Sequence, residues 1–175
     1  VYLIGEEVDH QQFAIATEAG HALRPDSPVE TAADALLRRY AVAETKRRLH
    51  QPVFRATVMR AYETRCAVCA LRHGELLDAA HIVPDVEEQG LPVVTNGLAL
   101  CKIHHAAYDT QILGIRPDNV VEIRTDLLDE VDGPMLRHGL VERHGQPLMA
   151  VPTKRSEQPS QKLLAIRYER FRAAV

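Results

Sequence analysis

The cysteines constrain this chain more than any other feature. There are three in 175 residues. Cys66 and Cys69 form a C-x2-C pair, and Cys101 opens a C-x2-H pair with His104. A short turn with that spacing presents two ligand atoms to one ion, and two such pairs close a tetrahedral zinc shell. The plain alternative is three buried free thiols, which are common in protein cores. It is disfavoured because both pairs carry ligand spacing and no cysteine is left over. The odd count also argues against a closed set of disulfides. Four protein ligands leave no position for water, so such a zinc is structural rather than catalytic.

A second constellation follows at once. His105 comes directly after His104, and Asp109 lies four residues on. On a helix, expected over 101–110, residues 105 and 109 share a face. Cys101 and His104 share another, offset by about 100° per residue. One helix can therefore present two metal sites side by side. A histidine and a carboxylate leave positions open for water and substrate oxygens, as a hydrolytic divalent ion requires. Taken alone, His105 and Asp109 read better as an i,i+4 surface pair. His81 shifts that balance. It stands in Leu77-Asp78-Ala79-Ala80-His81-Ile82-Val83-Pro84, near the end of an apolar strand expected over 76–83 and stopped by the proline. Asn96 and the ligand-bearing helix then follow.

The rest of the chain frames these parts. Residues 1–20 read as two short strands around a polar turn, with a helix as the other reading of the second, and 24–30 (RPDSPVE) as a turn or linker. Helices are expected from Thr31 to His50 and over 52–64, where apolar residues recur at helical spacing. Further strands are expected at 120–124 and 148–151. Ser160 should cap a last helix running to about 172. The chain is divided accordingly, with 1–30 as an extension or connection and 31–175 as one domain with a helical arm. It opens on Val1 rather than Met, so a processed form or a piece of a longer protein is expected. Apolar residues make up 46% and charged residues 26%, a globular balance rather than a disordered one. No apolar run approaches the ~20 residues that cross a bilayer, and no secretory signal opens the chain. No membrane partner is expected.

The order Cys-x2-Cys, strand with His81, loop, Asn96, then helix with His104-His105 resembles the HNH nuclease family. That family's ββα-metal fold carries its parts in this order, which implies an α+β core stapled by zinc and flanked by helices. His81 falls on the family's first His, Asn96 on its Asn and His105 on its final His. The wording LLDAAHIVP…NGLALCKIHHAAYD is similar, more narrowly, to bacterial restriction endonucleases that cut modified DNA. In those an HNH domain often follows a reader of modified bases, such as an SRA domain. The similarity runs from about 50 to 172, and residues 1–30 would then be the edge of such a reader or the link to it. The resemblance implies a cytoplasmic bacterial endodeoxyribonuclease acting on double-stranded, modified DNA. His81 would be the general base on water, since a histidine is ordinarily neutral near pH 7. Mg²⁺ or Mn²⁺ held by His105 and Asp109 would serve the phosphate. Asn96 would cross-link the loop and orient His81. Because one such site cuts one strand, a homodimer is expected.

One position departs from the family. Many members carry a metal-binding Asp or His directly before the first His, where this chain has Ala80. Asp78 lies three residues before His81, and strand parity points it to the opposite face. It stays a weak candidate ligand, with a supporting or structural role as the stronger reading.

Charge sharpens the substrate question. Net charge is −3, which by itself argues against nucleic acid. Yet residues 36–72 hold nine basic residues against Glu44 and Glu63, giving +7, between segments of −6 and −4. Arg47, Arg48, Arg55, Arg60, Arg65 and Arg72 are candidates for phosphate contacts, although about half would serve simply as a solvated face. Two rival functions stay open, a non-catalytic zinc-stapled DNA-binding module and a nonspecific toxin-type nuclease. RNA as substrate stays open as well.

Overall fold

The computed structural model describes Tyr2–Glu7, Gln12–Ala16 and residues 50–174. Two compact units divide the chain, Val1–Thr45 and Lys46–Val175. In the first, β1 (Tyr2–Glu7) and β2 (Gln12–Ala16) pair antiparallel, from Tyr2 with Ala16 to Glu7 with Gln12. These are the two short strands expected there. The helix expected from Thr31 lies outside the described residues except for His50, and so do Arg47 and Arg48.

In the second unit a helix, α1, occupies 50–61. It stops three residues short of the expected 64 because Glu63 and Thr64 take left-handed backbone, at φ 51° and 52°. The Thr64 N–H then returns to the Met59 carbonyl at 2.8 Å. The chain passes through the Cys66–Cys69 knuckle into β3 (Leu77–His81), which pairs antiparallel with β4 (Gly97–Cys101). Leu77 faces Cys101 at one end of this ribbon and His81 faces Gly97 at the other. All five residues of β4 are buried, as an apolar run covered on both faces must be. Helix α2 (Lys102–Asp109) follows without a loop, with Cys101 as its N-cap residue.

A second ribbon, β5 (Leu113–Ile115) with β6 (Val121–Ile123), continues the core. A short α3 (Pro134–Gly139) follows, and α4 (Gln161–Ala173) closes the chain. The Ser160 side chain accepts from the Leu163 N–H, the cap expected of it. The strand expected at 148–151 does not form. Pro147 makes an isolated bridge with Val120, the Leu148 N–H donates to the Asn119 carbonyl, and the N–H groups of Met149 and Ala150 both turn to the Ala67 carbonyl. That segment straps the cysteine knuckle instead of extending a ladder.

Antiparallel ribbons packed with helices make this an α+β fold. Its core joins Phe54, Val58 and Tyr62 of α1 to Leu77, Leu98 and Leu100 of the first ribbon. It continues through Tyr108 to Leu113, Ile123 and Leu164. The approach of α1 to β4 explains Gly97. A Cβ there would lie 2.4 Å from Val58 Cγ2 and 3.1 Å from the Phe54 ring.

Candidate metal centre and active site

The four expected ligands meet at the junction of β4 and α2. The ligand atoms of Cys66, Cys69, Cys101 and His104 all lie within 4.8 Å of one another. Among the described residues this is the one group of three or more such side chains that converges so. His104 is 2% exposed. Its Nδ1 lies 3.2 Å from Cys101 Sγ and 3.4 Å from Cys66 Sγ, while Nε2 meets the Gly139 carbonyl at 2.7 Å. That carbonyl takes the Nε2 proton and leaves Nδ1 to the ion, the outer-shell partner usual for a ligating histidine. The Cys101 N–H points at Cys66 Sγ, 3.3 Å away. Three sulfurs, one imidazole nitrogen and this support suit a structural zinc ion. Gly139, 35 residues from His104, carries no chemical signal in the chain and only the fold reveals it.

Without an ion the quartet shares protons. Burial pulls the His104 pKa down, but hydrogen bonds with Cys101 and Cys66 outweigh it and raise the pKa to about 10. Contacts with Cys66 and Cys69 draw Cys101 well below the ordinary thiol range, while Cys69 moves up through its bonds to Cys101 and Cys66. Negative charge is thus drawn to one sulfur, that of Cys101, while Cys69 keeps its proton.

On the neighbouring face of α2 lies a cavity of ≈ 360 Å³. His81, His105 and Asp109 all line it, together with Asp78, Arg55 and Arg167. The expected general base and the expected metal-binding pair therefore share one space. His81 stacks on Phe54, with ring centroids 4.0 Å apart and planes 15° from parallel. That stack, set by α1, fixes the plane of the imidazole.

Asn96 lies behind this wall and is fully buried. Its side chain accepts from the Val83 N–H at 2.9 Å and donates to the carbonyls of Val83, at 2.9 Å, and Leu91, at 3.0 Å. The Ile82 N–H donates to the Asn96 backbone carbonyl. Asn96 thus closes both ends of the loop that leaves His81, and it does not line the cavity.

Asp78 is not where strand parity placed it. It borders the same cavity as His81, and its Oδ2 lies 3.5 Å from His105 Nδ1 and 2.5 Å from Lys102 Nζ. Alternation follows from the backbone pleat, but among the described residues β3 pairs with β4 alone, and a cavity at its other edge is reached from both faces. The cavity therefore borders side chains of both parities. Burial raises the Asp78 pKa, but Lys102 and His105 together bring it below the ordinary aspartate value. On the other side of the His105 ring, Nε2 lies 3.3 Å from Asp109 Oδ2. A histidine with a carboxylate at the cavity mouth is a donor set that fits a hard divalent ion.

Of the arginines in the basic block, Arg55 lines the cavity while donating to the carbonyls of Gly74 and Leu77. Arg60 pairs with Glu157 and Arg65 with Glu63, whereas Arg72 is exposed. The last helix also brings to the cavity a residue not expected at the site. Arg167, on α4, donates to the Tyr108 carbonyl at 2.7 Å and lies over the Tyr108 ring. It holds the C-terminal end of α2 where Asp109 sits.

The family model for HNH endonuclease matches residues 66–116. No curated protein matches the chain. Among solved structures, a modification-dependent TagI restriction endonuclease is similar at 22% identity with a TM-score of 0.47. The similarity covers 67% of this chain and 36% of that one. The matched segment runs from the first ligand cysteine through β3, β4 and α2 to the end of β5. This chain carries an HNH endonuclease domain, built as a strand–strand–helix core around a Cys3His group that can hold zinc.

Proposed function

We propose that this chain is a metal-dependent DNA endonuclease, the nuclease part of a modification-dependent restriction enzyme of the bacterial cytoplasm. The observation that carries the hydrolytic reading is the shared cavity. His81 enters it from β3 and the His105–Asp109 pair enters it from α2. Hydrolysis of a phosphodiester needs an activated water, neutralised phosphate charge and help for the departing 3′ oxygen. His81, held flat by Phe54, accepts the proton of the attacking water. Asn96 keeps the loop behind it closed, so the imidazole is presented from a rigid wall. His105 and Asp109 hold Mg²⁺ or Mn²⁺, which when bound stabilises charge on the phosphate and on the leaving oxygen. Arg55 borders the cavity as a cation for the flanking backbone. Cys66, Cys69, Cys101 and His104 hold zinc and keep α2 in register with the ribbon.

The similarity of LLDAAHIVP…NGLALCKIHHAAYD to enzymes that cut modified DNA supports the narrower substrate. Cutting both strands calls for two sites, hence a homodimer. The deciding experiment incubates the zinc-loaded chain with modified and unmodified plasmid and Mg²⁺ or Mn²⁺, beside His81→Ala and His105→Ala. Cleavage of modified DNA that both variants abolish is the expected result. Intact plasmid under every condition, from folded protein, would leave the zinc-stapled binding module as the function. Equal cutting of unmodified DNA would point to the nonspecific nuclease, and light scattering reads the dimer.

A further inference from the structure

The two carboxylates beside His105 do different work, and their placement says which. Asp78 faces Nδ1 at 3.5 Å and Asp109 faces Nε2 at 3.3 Å, so they flank opposite nitrogens of one ring. They are not among the ligand atoms that converge within 4.8 Å, so one ion on His105 cannot use both as they stand. Asp78 already has a cation, because Lys102 Nζ lies 2.5 Å from the same Oδ2 that faces His105. Among the described residues the Asp109 carboxylate pairs with His105 alone, and it is 60% exposed at the cavity mouth. The geometry points to Asp78 as a positioning residue: it takes the Nδ1 proton of His105 and so commits Nε2, together with Asp109, to the divalent ion.

This rests on the metal-dependent reading above and deepens it. An imidazole has one proton to give when neutral, and the nitrogen that keeps it cannot bind metal. A free histidine can present either nitrogen. A carboxylate fixed on one side removes that choice, as outer-shell carboxylates do for ligating histidines. Lys102, in the first turn of α2, neutralises Asp78 and stops it from competing for the ion. A contact of 3.5 Å is long for a hydrogen bond, and such contacts in ligand-free sites tighten when the ligand arrives. Asp78 thus answers the absence of a carboxylate at Ala80 indirectly, by preparing His105 rather than adding a ligand.

The test uses the whole zinc-loaded chain with two readouts that need no DNA. Nitrogen-15 shifts give the His105 tautomer, and isothermal titration gives Mn²⁺ affinity. Wild type should show the proton on Nδ1. Asp78→Ala should lose that preference and weaken Mn²⁺ binding by roughly 10–100-fold, whereas Asp78→Asn, whose amide oxygen still accepts, should lose less than about 10-fold. Zinc content and thermal melting establish that each variant is folded. A proton on Nε2 in wild type would overturn the assignment without any variant. Unchanged Mn²⁺ affinity in Asp78→Ala would overturn it too. If Asp78→Asn matches His105→Ala in its loss, Asp78 is itself a ligand and the proposal fails. Failure of the metal reading looks different: His105→Ala would then bind Mn²⁺ as wild type does.

Discussion

His81 depends on two neighbours. The Phe54 ring stacks on it at 4.0 Å, and Gly97, its partner across the ribbon, leaves room for that ring. A methyl at 97 must displace Val58 or Phe54, and overpacking of this kind costs about 1–3 kcal/mol. Gly97→Ala should therefore lower the thermal midpoint, and its cleavage rate should stay reduced at temperatures where it is fully folded. Asn96→Ala fails differently. It strips the side-chain partners from the buried N–H and C=O of Val83, at about 1–3 kcal/mol for each unsatisfied buried group. Urea unfolding should show a loss of at least about 2 kcal/mol. His81, Asn96, His105 and Asp109 were legible in the chain because their chemistry sits in one short ordered stretch. Asp78 was legible as an acid but not in its direction, since strand parity does not describe an edge strand wrapped by a cavity. The helix that carries Arg167 was legible, but its place at the site was not, because Arg167 is 58 residues from Asp109.

Among the elements, the junction of β4 and α2 depends most on the quartet. Cys101 ends the strand, caps the helix and belongs to the quartet, so a zinc ion held there would fix the angle at which α2 leaves the ribbon. Cys66→Ser should unfold the domain rather than merely slow it, because a structural zinc contributes its binding energy to folding. Circular dichroism with metal analysis decides this, and a variant with full zinc and a wild-type melt would contradict it. Acid should act on the same point. Metal-free His104 holds its proton up to about 10, so zinc must displace it, and affinity falls as pH falls. Zinc release into a chromogenic chelator should therefore rise on acidification. The loop between β3 and β4 has its own tie. Arg170 of α4 grips both carboxylate oxygens of Glu87 at 2.6 Å, and these bonds hold the Glu87 pKa below its ordinary value against desolvation. A depressed carboxylate stabilises above its unfolded pKa and loses that stability as pH falls through the folded one. The tie is complete at neutral pH. Glu87→Gln should expose residues 82–96 to faster hydrogen exchange there, with little change at pH values below the carboxylate range.

At the scale of the whole molecule, the basic block is partly spent within the protein. Arg60 and Arg65 pair with Glu157 and Glu63, and Arg55 ties down two carbonyls. DNA binding by this chain should be weak. Each neutralised phosphate adds about −0.9 to the slope of log K against log salt. A fluorescence anisotropy titration should give a slope no steeper than about −4, and a much steeper one would mean a larger footprint than the cavity rim. Among the described residues no helix is long and apolar enough to cross a membrane.

The sequence by itself determined the metal quartet, the order of parts around it, the α+β class and the identity of the residues bound for the cavity. Ligand spacing and local periodicity are short-range properties, and they survive in a linear string. The tertiary structure alone decided that segment 148–151 straps the knuckle, that Gly139 steadies His104, and that Asp78 and Asp109 take opposite nitrogens of one imidazole. Those outcomes depend on which distant groups arrive within about 3 Å of each other, the reach of a hydrogen bond. Only the packed chain sets that distance.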